Sequence, residues 1–201
     1  MSLSKKQLQQ KREKKKKKRQ IKTRRPPLST SAYNHNHWPI YACYIPSHLW
    51  EIGVGQVIVA RKNDRDNLAV GIYLIDVFCL GIRDCAVSVT NNIAYEEILQ
   101  GFNTVYKGLK RVEPSYAYTL ICQAEAFAKR LGFKPHPDFS KAKLFLNNIV
   151  LDEDLRFTFG KEGKPHYLQG PDDSPADAQN VLQTLEKNLG RDQDAFSFEL
   201  S

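Results

Sequence analysis

Paired cysteines with the spacing of a metal or redox site are missing from this 201-residue chain. Its four cysteines, at positions 43, 79, 85 and 122, form no C-x-x-C pair and are accompanied by no H-x-x-x-H pattern. A zinc site is therefore not expected, and we predict no cofactor. Cys79 and Cys122 lie inside apolar stretches, which is typical of small core residues. So few cysteines favour free thiols and a reducing compartment over a disulfide framework.

Long apolar runs are also missing. The longest candidate, residues 68–80, contains Asp76 and falls short of the roughly 20 apolar residues that a membrane helix needs. The charged N-terminus is followed by no apolar h-region, so we expect no secretory signal peptide. These absences predict a cytoplasmic protein, or a nuclear one in a eukaryote, with no membrane partner.

Acidic residues are almost absent from the first 25 positions. This segment contains 13 Lys and Arg residues and a single acid, Glu13, which gives a net charge of +12. The remaining 176 residues contain 17 bases and 21 acids, a net charge of −4. The overall charge of +8 therefore belongs to the tail, and the rest of the chain is mildly acidic.

The basic tail, residues 1–30, includes six consecutive bases from Lys14 to Arg19. Like charges repel and the segment has no apolar face to bury, so we predict that it is disordered when free. Such a tail favours nucleic acid as a partner, because bases neutralise phosphates without reading sequence. The charge does not specify which nucleic acid, and RNA or the ribosome is the partner we favour. A solubilising tail and a nuclear-import signal are the alternatives. The predicted nucleic-acid-binding residues are Lys11, Arg12, Lys14, Lys15, Lys16, Lys17, Lys18, Arg19, Lys22, Arg24 and Arg25.

Residues 31–201 are predicted to form a single α+β domain, a mainly antiparallel sheet with helices packed on it. Its centre is residues 52–89, where β-branched and aromatic residues predict a hairpin of 54–61 with 68–79 that continues through Gly81 into 83–89. The upstream residues 31–51 are expected to be an arm that packs aromatic rings over the sheet. A metal pair at His35 and His37, or an aromatic platform for bases, are alternative interpretations of this arm.

The second half of the chain alternates helical and strand-like patterns. Spacings of three and four predict two amphipathic helices, 92–110 and 114–131, stacked as a pair on one face of the sheet. A short helix capped by Ser140, a hairpin of 155–159 with 165–169, a helix from Ser174 to Gly190 and a terminal edge strand are expected to follow.

Four residues are candidates for chemistry. Asp76 is a carboxylate inside an apolar strand, and burying it costs several kcal/mol unless it is paired or solvated. It either stands at a strand end or pairs with Arg61 or Arg83, or it joins Asp84, Asp138 and Glu97 around a divalent metal. His136 and Asp138 lie in a loop stiffened by two prolines, where they could act as base and orienter with Cys79 or Cys85 as nucleophile. The candidate catalytic set is Asp76, Asp84, His136 and Asp138.

Two functions are consistent with these patterns. The first is a non-enzymatic, RNA- or ribosome-associated protein tethered by its tail, with an acidic domain that makes a protein contact. The second is a metal-dependent hydrolase or nuclease that uses the four candidate residues. Convergence of those residues in the fold distinguishes the two.

Overall fold

The computed structural model describes residues 32–170, 173–190 and 195–200. Within them lies an α+β fold, in which a five-stranded antiparallel sheet of order β4-β3-β2-β1-β5 carries helices. Its strands are β1 (Ile40–Pro46), β2 (Val54–Lys62), β3 (Leu68–Asp76), β4 (Gly81–Thr90) and β5 (Leu109–Val112). The short strands β6 (His166–Leu168) and β7 (Ser197–Glu199) form a separate parallel pair.

Five α-helices and two 3₁₀ segments accompany the strands in this described part. The helices are α1 (Leu49–Ile52), α2 (Asn92–Tyr106), α3 (Pro114–Arg130), α4 (Phe139–Ala142) and α5 (Pro175–Leu189). The 3₁₀ segments are Ala32–His37, which is kinked at His35, and Lys143–Leu146. No helix among the described residues is long and apolar enough to cross a membrane.

The predicted central hairpin is confirmed. β2 and β3 pair in continuous register from Val54 opposite Asp76 to Lys62 opposite Leu68. β3 has β2 on one side and β4 on the other, and both of its faces are covered, which explains its nearly continuous apolar sequence. The predicted end of this strand at residue 79 is wrong. β3 ends at Asp76, and residues 77–80 form a turn that leads directly into β4.

The helices α2 and α3 lie on opposite faces of the sheet, so the predicted stacked pair is wrong. Side chains alternate along each strand. Val57 and Val59 of β2 pack with Leu120 of α3 in the larger core, whereas Ile58 packs with Tyr95 of α2 on the other side. β5 lies between the two helices in the chain and carries it from one face to the other along the sheet edge.

Two further elements, β1 and α2, differ from the sequence predictions. The aromatic arm contains β1, which pairs with β2 and β5 inside the sheet. The helix predicted over 92–110 ends at Tyr106, because Lys107 and Gly108 have φ values of 54° and 142° and reverse the chain. Lys110, the last residue of the predicted helix, belongs with Arg111 to β5.

The predicted hairpin of 155–159 with 165–169 is also wrong, because 155–159 is not a strand. Its backbone instead bonds to the side chain of Gln123 on α3: Nε2 donates to Leu155 O at 2.7 Å, and Phe157 N donates to Oε1 at 3.1 Å. The partner of β6 is the C-terminal strand β7. The predicted terminal helix is confirmed, and it begins with a capping box between Ser174 and Asp177.

Candidate functional site

Asp76 stands at the end of β3 and is 1% exposed. Its Oδ1 accepts hydrogen bonds from the backbone N–H groups of Phe78 and Cys79, both at 2.8 Å, so the carboxylate closes the turn between β3 and β4. Burial raises the pKa of this carboxyl to about 6, against the opposing effect of the backbone hydrogen bonds. Of the interpretations open from the sequence, a strand-end position is the one observed.

The two arginines considered as partners of Asp76 are bonded elsewhere. Arg83 Nη2 lies 2.7 Å from Oδ1 of Asp173 in a partly buried ion pair. Arg61 is buried, and its guanidinium donates to three backbone oxygens, those of Phe145, Trp38 and Asn147. Asp76 is therefore a turn-forming carboxylate rather than half of an ion pair.

The other three candidates lie together at the outer edge of β4. The loop that follows α3 is held there because His136 N donates to Ile82 O at 2.9 Å. His136 Nε2 lies 3.9 Å from Oδ1 of Asp84, and its Nδ1 lies 3.8 Å from Oδ2 of Asp138. The fold thus brings Asp84, His136 and Asp138 into one cluster. Asp76 instead accepts hydrogen bonds within the turn that follows β3.

The hydrogen bonds of His136 indicate which ring nitrogen has the proton. Asp138 N donates to Nδ1 at 3.2 Å, so in the neutral ring Nδ1 is the acceptor and the proton is assigned to Nε2. Nε2–H then faces Asp84, and neither nitrogen is a free base in this arrangement. A catalytic base oriented by the carboxylate of Asp138 requires the opposite tautomer, with the proton on Nδ1.

Metal binding by the whole cluster meets a geometric obstacle. The two carboxylates lie at opposite nitrogens of the imidazole, and a histidine coordinates one ion through one nitrogen. One ion that is bound to Nε2 beside Asp84 therefore leaves Asp138 on the far side of the ring. Across the described ranges, no group of three or more His, Cys, Asp or Glu residues is arranged to hold a metal ion.

The cysteines near these residues are poor nucleophiles. Cys79 and Cys85 are 0% and 4% exposed. Burial raises the pKa of the Cys85 thiol to about 12, and the nearby carboxylates Asp84 and Asp138 add to this effect. Burial also raises the pKa of Cys79, with Asp76 contributing. A nucleophilic cysteine needs a lowered pKa and access to substrate, so neither thiol fits the role.

The histidines of the N-terminal arm form an aromatic group. The ring of His35 packs on Trp38 at a centroid distance of 4.1 Å, and the centroids of His35 and His37 are 6.3 Å apart. Desolvation lowers the pKa of His35, and His37 adds to the effect. His37 Nδ1 bonds to Asn34 O at 2.9 Å. These contacts lie within the arm, and the packing that was predicted is seen in Tyr33, which is buried in the larger core, and in Trp38, which packs against it.

One concave feature was not anticipated from the sequence. A groove of about 810 Å³, hereafter the edge groove, opens where β5 ends beside β1 and α3 begins. It is lined by Tyr41, Tyr116, Lys110, Arg111, Glu113 and Asp152, together with apolar residues of β1 and β5. The sequence signal for it was indirect: Pro114 at the first turn marks the start of α3, but the flanking strands β1 and β5 went unrecognised.

The predicted nucleic-acid-binding residues Lys11 to Arg25 lie outside the described residues, and so do all of residues 1–30. Comparisons of the chain with protein-family models, with curated proteins and with solved structures find no match.

Proposed function

We propose that this is a non-enzymatic, nucleic-acid-associated protein, tethered to RNA or the ribosome by residues 1–30. The observation that carries the proposal is the separation of charge along the chain. Thirteen bases and one acid occupy the first 25 residues, whereas the rest of the chain has more acids than bases. That density of positive charge far exceeds what solubility requires.

The tail would bind by neutralising phosphates and releasing their counterions, which gives affinity without sequence readout. The acidic remainder of the chain would be repelled by the same polyanion. The domain would therefore face away from the nucleic acid and be available for a protein partner. We place this protein in the cytoplasm, or in the nucleus of a eukaryotic cell, where both kinds of partner occur.

Exposed apolar side chains support a protein contact by the domain. Leu144, Val150 and Leu151 are 50%, 79% and 43% exposed and lie close together in the chain after α4. Apolar groups of this kind contribute to protein interfaces and gain little from a phosphate backbone. The buried titratable groups Asp76 and Arg61, and the partly buried Arg83, are in contrast bonded within the domain.

The proposal is tested by recovering the full-length protein from a lysate with and without nuclease treatment. We expect RNA, ribosomal RNA above all, to accompany the protein in the untreated sample and to disappear after ribonuclease. A matched variant with Lys14 to Lys18 and Arg19 changed to Gln should recover much less RNA. Equal recovery by that variant would contradict the proposal.

A metal-dependent hydrolase or nuclease is the second candidate, and the observation that favours it is the cluster of Asp84, His136 and Asp138. Against it stand the protonated Nε2 of the neutral ring and the placement of the carboxylates on opposite sides. His136→Ala and Asp84→Asn should abolish any Mg²⁺- or Mn²⁺-dependent cleavage of labelled RNA if this candidate is correct. Cleavage that survives both changes would exclude the cluster as its source.

A further inference from the structure

We propose that the edge groove is the docking site of the chain's own basic tail, residues 1–30, while no nucleic acid is bound. This inference rests on the proposed function, because it describes what the tail contacts when RNA is absent. It assigns the groove a regulatory role, in which the acids of the groove and the phosphates of RNA compete for the same lysines and arginines.

Four exposed acids lie at or next to the groove in the chain, hereafter the acid wall: Glu113 and Asp152 line the groove, and Glu153 and Asp154 directly follow Asp152. All four are exposed, and none forms an ion pair with another described residue. Exposed, unpaired acids placed side by side repel one another, and a cation beside them relieves that repulsion. The acid wall is thus the part of this groove that favours a basic segment.

The loop that contains Asp152, Glu153 and Asp154 is held in place by hydrogen bonds within the domain. Asp152 N donates to Thr119 Oγ1 on α3 at 2.9 Å, and Oδ1 of Asp152 accepts from the backbone N–H groups of Asp154 and Leu155 at 3.2 Å. The side chain of Gln123 holds the next residues through their backbone. A fixed loop lowers the entropy cost of docking, which strengthens binding.

The tyrosines of the groove fit the side chains of the tail. Tyr41 is 44% exposed, and within the domain the Nζ of Lys62 already stands 5.1 Å from the centre of its ring. Tyr116 contacts Phe157 edge to face at 5.0 Å, which fixes its orientation. Lysine and arginine stems pack well on aromatic rings while their charged ends reach acids.

The tail can reach the groove easily. The described structure begins at residue 32, eight positions before Ile40, which lines the groove. Thirty extended residues span on the order of 100 Å, and attachment to the domain gives an effective concentration of about a millimolar. Even a weak contact between a +12 segment and the acid wall is therefore occupied in the absence of a competitor.

Two bases also line the groove, and they allow the inference to be tested by changes with opposite effects. Lys110 and Arg111 stand on β5, and Arg111 Nη2 donates to Tyr41 O at 3.1 Å. These two bases oppose a basic occupant, whereas they would attract an acidic peptide or a nucleic acid. Neutralising the acids and neutralising the bases of one groove must therefore change tail docking in opposite directions.

Carbodiimide cross-linking of the full-length protein without RNA, followed by mass spectrometry, tests docking directly. We expect tail lysines to couple to the acid wall roughly fivefold more than to Glu96 and Glu97, which are also exposed and lie on α2, because docking raises the local concentration. The yield should be unchanged on dilution, as expected for a contact within one chain, and should vanish in high salt. Coupling spread evenly over all exposed acids would overturn the proposal.

The second test measures the affinity of the protein for a single-stranded RNA. The triple variant Glu113→Gln, Glu153→Gln, Asp154→Asn removes the site that competes with RNA for the tail. Its tail should no longer be partly occupied by the groove, so RNA affinity should increase about threefold or more. The control Asp64→Asn, Glu96→Gln, Glu97→Gln removes the same charge elsewhere and should change affinity less. Lys110→Gln with Arg111→Gln should weaken RNA binding by stabilising docking. Equal effects of the two acid triples would overturn the proposal.

The two arms separate failure of this inference from failure of the proposed function. If the protein binds no RNA, the proposed function fails while cross-linking still reports whether the tail docks. If RNA binds strongly but tail lysines show no preference for the acid wall, the proposed function stands and the docking inference fails.

Discussion

The guanidinium of Arg61, on β2, donates to the backbone oxygen of Asn147, at the end of the 3₁₀ segment after α4, at 2.8 Å. The same group also donates to Trp38 O and Phe145 O, at 2.7 Å and 3.1 Å. One buried side chain thereby joins the N-terminal arm, the sheet and the segment after α4. Charge-assisted bonds to three carbonyls compensate for its desolvation.

Arg61→Lys should destabilise the domain by about 2–4 kcal/mol, because lysine keeps the charge but cannot donate in three fixed directions from a planar group. Urea unfolding followed by circular dichroism measures the change. Arg65→Lys, at an exposed position in the turn between β2 and β3, is the matched control and should change stability by less than about 0.5 kcal/mol. Equal effects at the two positions would show that Arg61 does not join these segments.

Asp76→Asn should stabilise the protein at pH 7.5. Because burial raises the pKa of Asp76 to about 6 from 3.8, the folded state favours the protonated form. The stability from this group is complete below about pH 4 and is lost as the pH rises through 6. Asparagine keeps a side-chain oxygen that can accept from the backbone N–H groups of Phe78 and Cys79, and it removes the buried charge.

The gain in the free energy of unfolding should be at most about 3 kcal/mol at pH 7.5 and should disappear near pH 4. Chemical denaturation at the two pH values measures it. Asp76→Ala is the control for the hydrogen bonds and should destabilise at both pH values by about 1–3 kcal/mol, since it leaves two buried donors unpaired. Destabilisation by Asp76→Asn at pH 7.5 would show that the charge itself stabilises the turn.

Gln123→Glu should weaken the attachment of residues 155–157 to α3. The change keeps the acceptor for Phe157 N and removes the donor to Leu155 O, and it places a charge beside that carbonyl. We expect faster proteolysis between residues 150 and 160 and a loss of about 1–2 kcal/mol. Limited proteolysis with mass spectrometry locates the cleavage. Gln179→Glu, on the exposed side of α5, should leave the cleavage rate unchanged.

Much of the fold could be predicted from local sequence, and the errors share a physical cause. The hairpin, α3 and α5 carry strong local signals, such as the turn after Lys62, Pro114 at the first helical turn and the Ser174 cap. β5 has only four residues, and two of them are basic. The helix before it is followed by Lys107 in a left-handed conformation, which is uncommon for a lysine and is not indicated by the local sequence. β1 and residues 155–159 depend on partners distant in the chain.

The candidate site was only partly predictable for a similar reason. The apolar surroundings of Asp76 revealed from the sequence that its carboxylate is buried, but its backbone partners depend on the exact end of β3. Two prolines indicated a fixed loop at His136, yet the approach of Asp84 depends on where that loop meets β4. The tautomer of His136 follows from a single backbone donor, which no spacing pattern could specify.

Tail neutralisation should leave the fold intact. The tail has few apolar residues to bury, so the variant with Lys14 to Lys18 and Arg19 changed to Gln should melt within a few degrees of the parent. Differential scanning fluorimetry in high salt, where docking of the tail is screened, measures this. A drop of about ten degrees, several kcal/mol for a domain of this size, would mean that the bases are part of the folded core.

The salt dependence of RNA affinity tests the central claim most directly. The logarithm of the association constant should fall linearly with the logarithm of the salt concentration, with a slope of roughly −0.7 for each phosphate neutralised on a single strand. Changing six tail bases to Gln should therefore make the slope less steep by about 4. An unchanged slope and an unchanged affinity in that variant would show that the tail does not bind the nucleic acid.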